Sequence, residues 1–282
     1  MTNVNNHSQH DHSHEHPHTH THSHQDRNLH GEKDAEVGAG KKVLTIRSHS
    51  GLSGDMFLCG LIRTLNLTPQ DTDNILNGIF PILKGTVRVE KKEVNHIAGW
   101  RCRVELPQEH QHRNLDDVLE IISKAQLSEQ AKKYAVAAFS NVACAEAAVH
   151  SLNIEEVHFH EVGALDSILD ICFTCELFAR LNPDVFVVSP LPIADGVIQC
   201  AHGTIPSPAP AVQAMLPGIP IRPFGAEGET VTPTALALLK AFNPSFGGWP
   251  MMVVEKINTI YGTYVYPNVP NGATFAYGTT YA

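Results

Sequence analysis

Between Glu155 and Glu176 the chain gathers more potential metal ligands and acid-base groups than anywhere else: Glu-Glu-Val-His-Phe-His-Glu-Val-Gly-Ala-Leu-Asp-Ser-Ile-Leu-Asp-Ile-Cys-Phe-Thr-Cys-Glu. His158-Phe159-His160-Glu161 alternates as a strand does, so the two imidazoles share one face while Phe159 and Glu161 take the other. Such a pair suits a borderline divalent metal or proton transfer. Gly163 ends the extended run, and Asp166 stands where a helix N-cap belongs, ahead of apolar residues at helical spacing up to Leu181. Asp170 lies one turn beyond Asp166, so a helix through both puts two carboxylates on one face. Glu161 can join the histidines on one ion only where the backbone bends at Val162-Gly163. Cys172-Phe-Thr-Cys175 falls well inside that helix, where core packing is the better reading than a redox dithiol, which favours a helix N-terminus.

Three other stretches carry donors on a glycine or proline turn that feeds a helix or loop. Ser50-Gly-Leu-Ser-Gly-Asp55 is a tight turn into a helix from Met56, and its backbone N–H groups, with Gly51, Ser53 and Gly54, are suited to an anion. It lacks the Gly-Lys-Ser/Thr of a Walker loop and is not a dinucleotide fingerprint. Asp55 there is either a helix cap or a metal-directed carboxylate. Cys200 and His202 stand two apart ahead of a proline-rich loop, as ligands or as parts of a structural turn. Gly225 to Thr234 leads into another helix, with Thr232 as N-cap, Pro233 at its first position and Thr234 next. If these turns converge at a sheet edge, they build a polar cleft for a divalent metal and an anionic ligand.

Two further places carry lone candidates. Glu146 and His150 are one turn apart on a long alanine-rich helix, as a metal half-site or an exposed carboxylate–imidazole pair. His110 and His112 lie in a loop before Asp116 and Asp117. The N-terminal 40 residues alternate His7, His10, His12, His14, His16, His18, His20, His22, His24 and His30 with Ser, Thr, Asp, Glu and Pro. Without apolar periodicity that tail reads as disordered when free. It is a multidentate store for nickel, zinc or cobalt, or else a tag or solvated tail that binds metal incidentally.

The elements that must position these groups read as an α/β protein with a mixed sheet, in which glycine and proline turns feed helix N-termini. A strand at 43–49 precedes the first turn, a helix at 69–79 is followed by a strand pair at 85–106, and helices at 115–124 and 128–152 precede the central stretch. An apolar run at 184–188 is a buried strand, 208–216 a short helix and 251–260 a late strand. From Tyr261 onward Gly, Pro, Asn, Thr and Tyr give no period, so 267–282 is expected to be an irregular tail. Residues 41–266 then form the α/β domain, with a conceivable subdivision near residue 125.

Composition excludes several classes. A net charge of −9 over 282 residues leaves no domain-scale basic patch for nucleic acid. No apolar run reaches membrane-span length and the start is polar, which points to a cytoplasmic protein. Cys59, Cys102, Cys144, Cys172, Cys175 and Cys200 are scattered rather than spaced as a disulfide framework. The G-x-S-x-G elbow, H-E-x-x-H and paired zinc-ribbon spacing are missing.

Gly51-Leu-Ser-Gly-Asp-Met56, Val157-His-Phe-His-Glu-Val-Gly-Ala-Leu-Asp166, Ser189-Pro-Leu-Pro192, Cys200-Ala-His-Gly203 with Pro206-Ser-Pro-Ala-Pro210, and Gly228-Glu-Thr-Val-Thr-Pro-Thr234 together resemble the ordered motifs of the LarC family. The resemblance runs from about Val43 to Tyr266. It implies an enzyme of the lyase class that inserts Ni(II) into pyridinium-3,5-bisthiocarboxylic acid mononucleotide to form the nickel-pincer cofactor of lactate racemase. It also implies assistance from CTP with Mn(II) or Mg(II), and lactate racemase pathway proteins as partners. Full-length members have a further C-terminal domain for nucleotide binding, so this chain resembles the N-terminal part, as when two adjacent reading frames are joined by a frameshift. Residue types and spacing make Asp55, His158, His160, Glu161 and Asp166 the catalytic candidates, and Gly51, Ser53, Gly54, Thr232 and Thr234 the anion cradle. Asp170, Cys200 and His202 join the two central histidines and the tail as candidate metal ligands. A non-enzymatic nickel metallochaperone or store is the alternative, and a hydrolase with metal-activated water a third reading.

Overall fold

Val43, Leu44 and Ile46 are β-branched or large apolar residues with no room for water on either side, and they form the middle of the first strand, β1 (Lys42–Ser48). The computed structural model describes residues 40–106, 113–159, 163–200 and 203–281. Ser53 has extended backbone angles and starts α1 (Gly54–Thr64), which is followed by α2 (Pro69–Ile79). Thr68 and Asp71 close a capping box on α2, with Pro69 at its first position. The strands β2 (Val87–Val94) and β3 (Ile97–Val104) form a hairpin whose turn residues Asn95 and His96 both have positive φ, as a two-residue primed turn requires.

Next come β4 (Arg113–Asn114), α3 (Leu115–Lys124), α4 (Glu129–His150), β5 (His158–Phe159) and α5 (Leu165–Leu181). The buried strand β6 (Val185–Val188) leads to β7 (Leu191–Ile193), the hairpin of β8 (Val197–Cys200) and β9 (Gly203–Pro206), α6 (Pro210–Met215) and β10 (Ile221–Pro223). The chain closes with α7 (Pro233–Phe242), β11 (Ser245–Phe246), β12 (Met252–Ile260) and β13 (Ala273–Thr280).

One seven-stranded sheet in the order β11-β6-β1-β13-β12-β3-β2 mixes parallel pairs, such as β1 with β6, and antiparallel pairs, such as β1 with β13. The fold is α/β, as expected. Helix α1 lies on the sheet against β3, β12 and β13 and turns its other side to α5, while α4 packs on α5, α6 and α7. Phe57 of α1 meets Phe275 of β13 and Phe242 of α7 edge-on, at 6.1 and 5.9 Å between ring centroids, so one residue ties sheet to helices. Phe178 and Phe242 stack at 3.9 Å. No helix among the described residues is long and apolar enough to cross a membrane.

The C-terminal stretch differs from the irregular tail expected at 267–282. Residues 273–280 form β13, an inner strand between β1 and β12. The period was invisible because close packing selects small residues there: a Cβ on Gly278 would sit 1.9 Å from Val253 O, and one on Gly60 would meet the Phe275 ring at 2.3 Å. The sheet also draws strands from both sides of residue 125, so no separate sheet marks a subdivision there. The expected tail at 1–40 lies, but for Gly40, outside the described residues.

Candidate functional site

Three helix N-termini supply the side chains of one polar cleft. The loop before α1 and the loop before α7 are joined by a parallel bridge between Leu52 and Val231, with Leu52 N donating to Thr230 O at 2.8 Å and Thr232 N to Leu52 O at 3.2 Å. Only glycine fits at position 51: its φ is +136°, and a Cβ would lie 1.7 Å from Thr230 O. The turn is held from below by Ser48 Oγ donating to Gly51 O at 2.6 Å, and by Gly272 N donating to Ser50 Oγ at 2.7 Å. Thr232 caps α7, accepting from Ala235 N at 3.2 Å as its sequence predicts.

The cleft has two parts that share part of their lining. One of about 270 Å³ is bordered by Ser50 to Ser53, Glu229, Thr230, Tyr264 and Tyr266; the other, about 500 Å³, by Gly54, Cys102 to Glu105, Asp166, Ser167, Asp170 and Thr234. Ser53, Asp55, Thr232 and Thr263 line both. These are sizes in the range of small-ligand sites. Every member of the expected anion cradle, Gly51, Ser53, Gly54, Thr232 and Thr234, borders this cleft, and so do Asp55, Asp166 and Asp170.

Ser53 starts α1 but makes no cap bond to its backbone; its hydroxyl donates to Asp55 Oδ1. Asp55 sits in the first turn, so it neither caps the helix from outside nor is free of it. Burial raises its carboxyl pKa, opposed by the Ser53 hydroxyl, the N–H groups of Met56 and Asp55 itself, and the charge of Lys92. Asp170 is held well above the usual carboxylate range, first by burial and then by the negative charges of Asp55 and Asp166. Its Oδ1 is buried without a hydrogen-bond partner. Gly54 permits this approach, since a Cβ there would lie 2.9 Å from Asp170 Oδ2. The helix that carries Asp170 begins two residues earlier than expected: Ala164 is the N-cap, and Asp166 lies in the first turn with Oδ1 accepting from Ser167 N at 2.7 Å.

The histidine stretch is placed differently. His158 is exposed on β5, and Phe159 is buried against Phe139 at 6.2 Å, so the predicted alternation holds for the described pair. Arg113 anchors the approach to α5 by donating to Gly163 O at 2.8 Å. His158 does not border the cleft, nor does Cys200, which pairs with Gly203 in the β8–β9 hairpin. His160, Glu161, His202, His110, His112 and the tail histidines from His12 to His24 lie outside the described residues. Glu146 Oε2 and His150 Nε2 approach to 3.4 Å on α4. Among the described residues no three His, Cys, Asp or Glu side chains converge to hold a metal ion. Cys172 and Cys175 are buried free thiols, the former pushed up to about 12 by burial, as core cysteines should be.

Among the contributors that escaped the sequence reading are Cys102 and Lys92. Cys102, on β3, lines the cleft with a thiol pushed up by burial and by Cys59, Asp170 and Asp55. Lys92, on β2, donates to Gly262 O at 2.8 Å and Thr263 O at 3.3 Å, fixing the loop that forms the cleft's far side. Strand residues give no local signal of what they will face.

A profile of the nickel insertion protein family matches residues 44–279. The chain is 40% identical over 216 residues to a putative nickel insertion protein of Dictyoglomus thermophilum, covering 77% of this chain and 55% of that protein. It is 34% identical over 230 residues to a pyridinium-3,5-bisthiocarboxylic acid mononucleotide nickel insertion protein of Staphylococcus epidermidis, covering 81% and 58%. A protein of the same name in Desulfitobacterium hafniense is 35% identical over 219 residues, with 77% and 53% covered. No solved structure matches. The chain spans just over half the length of these curated relatives, and the matched residues include every side chain of the cleft: it belongs to the nickel insertion protein family.

Proposed function

We propose that this chain inserts Ni(II) into pyridinium-3,5-bisthiocarboxylic acid mononucleotide, forming the nickel-pincer cofactor of lactate racemase, at the cleft where α1, α5 and α7 begin. The observation that carries the reading is the pair of half-buried carboxylates, Asp55 and Asp170, set against three helix N-termini inside the family-matched region. The helix ends attract the anionic mononucleotide, with Ser53, Gly54, Thr232 and Thr234 toward its phosphate. The two thiocarboxylates supply the soft donors that nickel prefers, so the protein need not hold the metal in a closed cage. Asp55, whose pKa is raised by burial but held back by the Ser53 hydroxyl and Lys92, is suited to take up a proton that metal binding releases. His158, His160, Glu161, Cys200 and His202 serve as the delivery path, and the tail as capture.

The reaction uses CTP with Mn(II) or Mg(II), supplied through the part of the relatives that this chain does not span, and this chain acts as the N-terminal component. Buried free thiols are in keeping with the cytoplasm. Mass spectrometry of a reaction containing the purified chain, nickel, the mononucleotide and CTP tests this, with and without the C-terminal portion of a relative. Nickel-loaded product is expected when that portion is present, and Asp55→Ala should lower its yield by roughly 100-fold or more. Unchanged yield in Asp55→Ala overturns the cleft assignment. Nickel transfer to a second protein without any product supports the metallochaperone instead, a reading favoured by the half-length match.

A further inference from the structure

A second cavity lies at the other end of α1 from the cleft and shares no lining residue with it. Its volume is about 680 Å³, larger than either part of the cleft and within the range of small-ligand sites. The last turn of α1, the start of α2 and the strands β2 and β3 enclose it. Ile62, Leu67, Val87, Val89 and Trp100 give it an apolar wall.

One cation is built into that wall. The Arg63 guanidinium lies over the Trp100 ring, its Cζ 3.9 Å from the ring centroid. Its Nε is buried without a hydrogen-bond partner, so the fold gives up one donor to keep the group on the indole. The terminal nitrogens are left to the cavity that Arg63 lines. A guanidinium held in this way is pre-organised to take a planar oxyanion on two parallel N–H bonds.

The other charges at the cavity are matched within the protein. Arg88 pairs with Glu105 at 3.5 Å, Glu90 pairs with Arg101 and lies 2.9 Å from Arg103, and Asp73 accepts from Gly85 N at 3.1 Å. A ligand with one negative charge therefore suits the site, whereas the second charge of a phosphate monoester would face Asp73 and Glu90.

We infer that this cavity binds an organic monocarboxylate with an apolar or aromatic body, its carboxylate on Arg63 and its body against Trp100 and the valines of β2. The site rests on the cavity alone and not on the proposed nickel chemistry.

NMR of the indole N–H groups in the isotope-labelled full chain tests this, because Trp100 and Trp249 are the protein's two tryptophans and Trp249→Phe assigns them. Trp249 stands outside the cavity, under Arg47, and serves as the internal control. Benzoate and hexanoate are titrated to about 10 mM, above a millimolar Kd, each against its own amide as the uncharged isostere. At least one carboxylate should shift the Trp100 resonance saturably while Trp249 stays in place, and its amide should bind roughly tenfold more weakly or worse. Arg63→Gln, checked for folding by circular dichroism, should lose the preference for the charged probe. The carboxylate–amide comparison uses the wild-type protein, so it decides even should Arg63→Gln fail to fold. No saturable Trp100 shift with either carboxylate, equal shifts at both indoles, or equal affinity for carboxylate and amide overturns the site. An unchanged preference in folded Arg63→Gln overturns the role of Arg63.

Discussion

Asp170 is the residue at which chemistry and stability are most clearly opposed. Burial, and then the charges of Asp55 and Asp166, hold its carboxyl well above the ordinary value of 3.8. In metal-free protein the folded state therefore keeps a proton that the unfolded chain has already lost. Between pH 3.8 and the raised value the folded state binds more protons, so stability falls as pH rises through that window. Below it the penalty is absent; above it the penalty is complete. Asp55 adds in the same direction. We expect Asp170→Asn, scanned by calorimetry in chelator, to melt above wild type at about pH 8 and to lose most of that advantage near about pH 4. An equal offset at both values would show that the carboxyl is not the source. Asp55 and Asp170 were both legible as candidates from type and spacing, but their nearness was not, because they stand more than a hundred positions apart on helices that meet only through packing.

At the level of elements, the two loops that carry the cradle were readable because their signals are local. Thr232 followed by Pro233 states a helix start, and Gly51 and Gly54 announce a turn that side chains cannot make. Their pairing by the Leu52–Val231 bridge is what turns two caps into one site. Gly51→Ala tests this: its Cβ would strike Thr230 O, and the substitution should destabilise the protein by roughly 2–4 kcal/mol in urea unfolding. Stability within about 0.5 kcal/mol of wild type would mean that the bridge is dispensable. The β5 strand shows the opposite case. Its alternation was correct for His158 and Phe159, yet alternation says only which face is buried, and His158 turns out to be on the exposed one, away from the cleft.

For the whole molecule, the inner strand β13 ties the ends of the described chain together, pairing with β1 over seven residues. A chain ending at Asn271 would leave β1 and β12 without the strand between them, and Phe57 without Phe275. It should show no cooperative thermal transition. A chain beginning at Lys41 removes no described element and should melt with wild type, while its nickel capacity by calorimetric titration falls to a small fraction. Loss of the transition in that second truncation, or its survival in the first, would contradict the assigned architecture.

The sequence by itself determined the fold class, most element positions, the family and the two turns that border the cleft, because caps, turns, hydrophobic periods and ordered motifs are written in neighbouring residues. Only the tertiary structure decided that β13 is a strand, that Cys102 lines the cleft while Lys92 holds the loop beside it, and that the carboxylates rather than His158 border it. The physical reason is the same in each case. Gly278, Cys102 and Asp170 take their roles from what packs against them, and residues brought together by a sheet and a helix layer leave no periodic trace of that meeting in the chain.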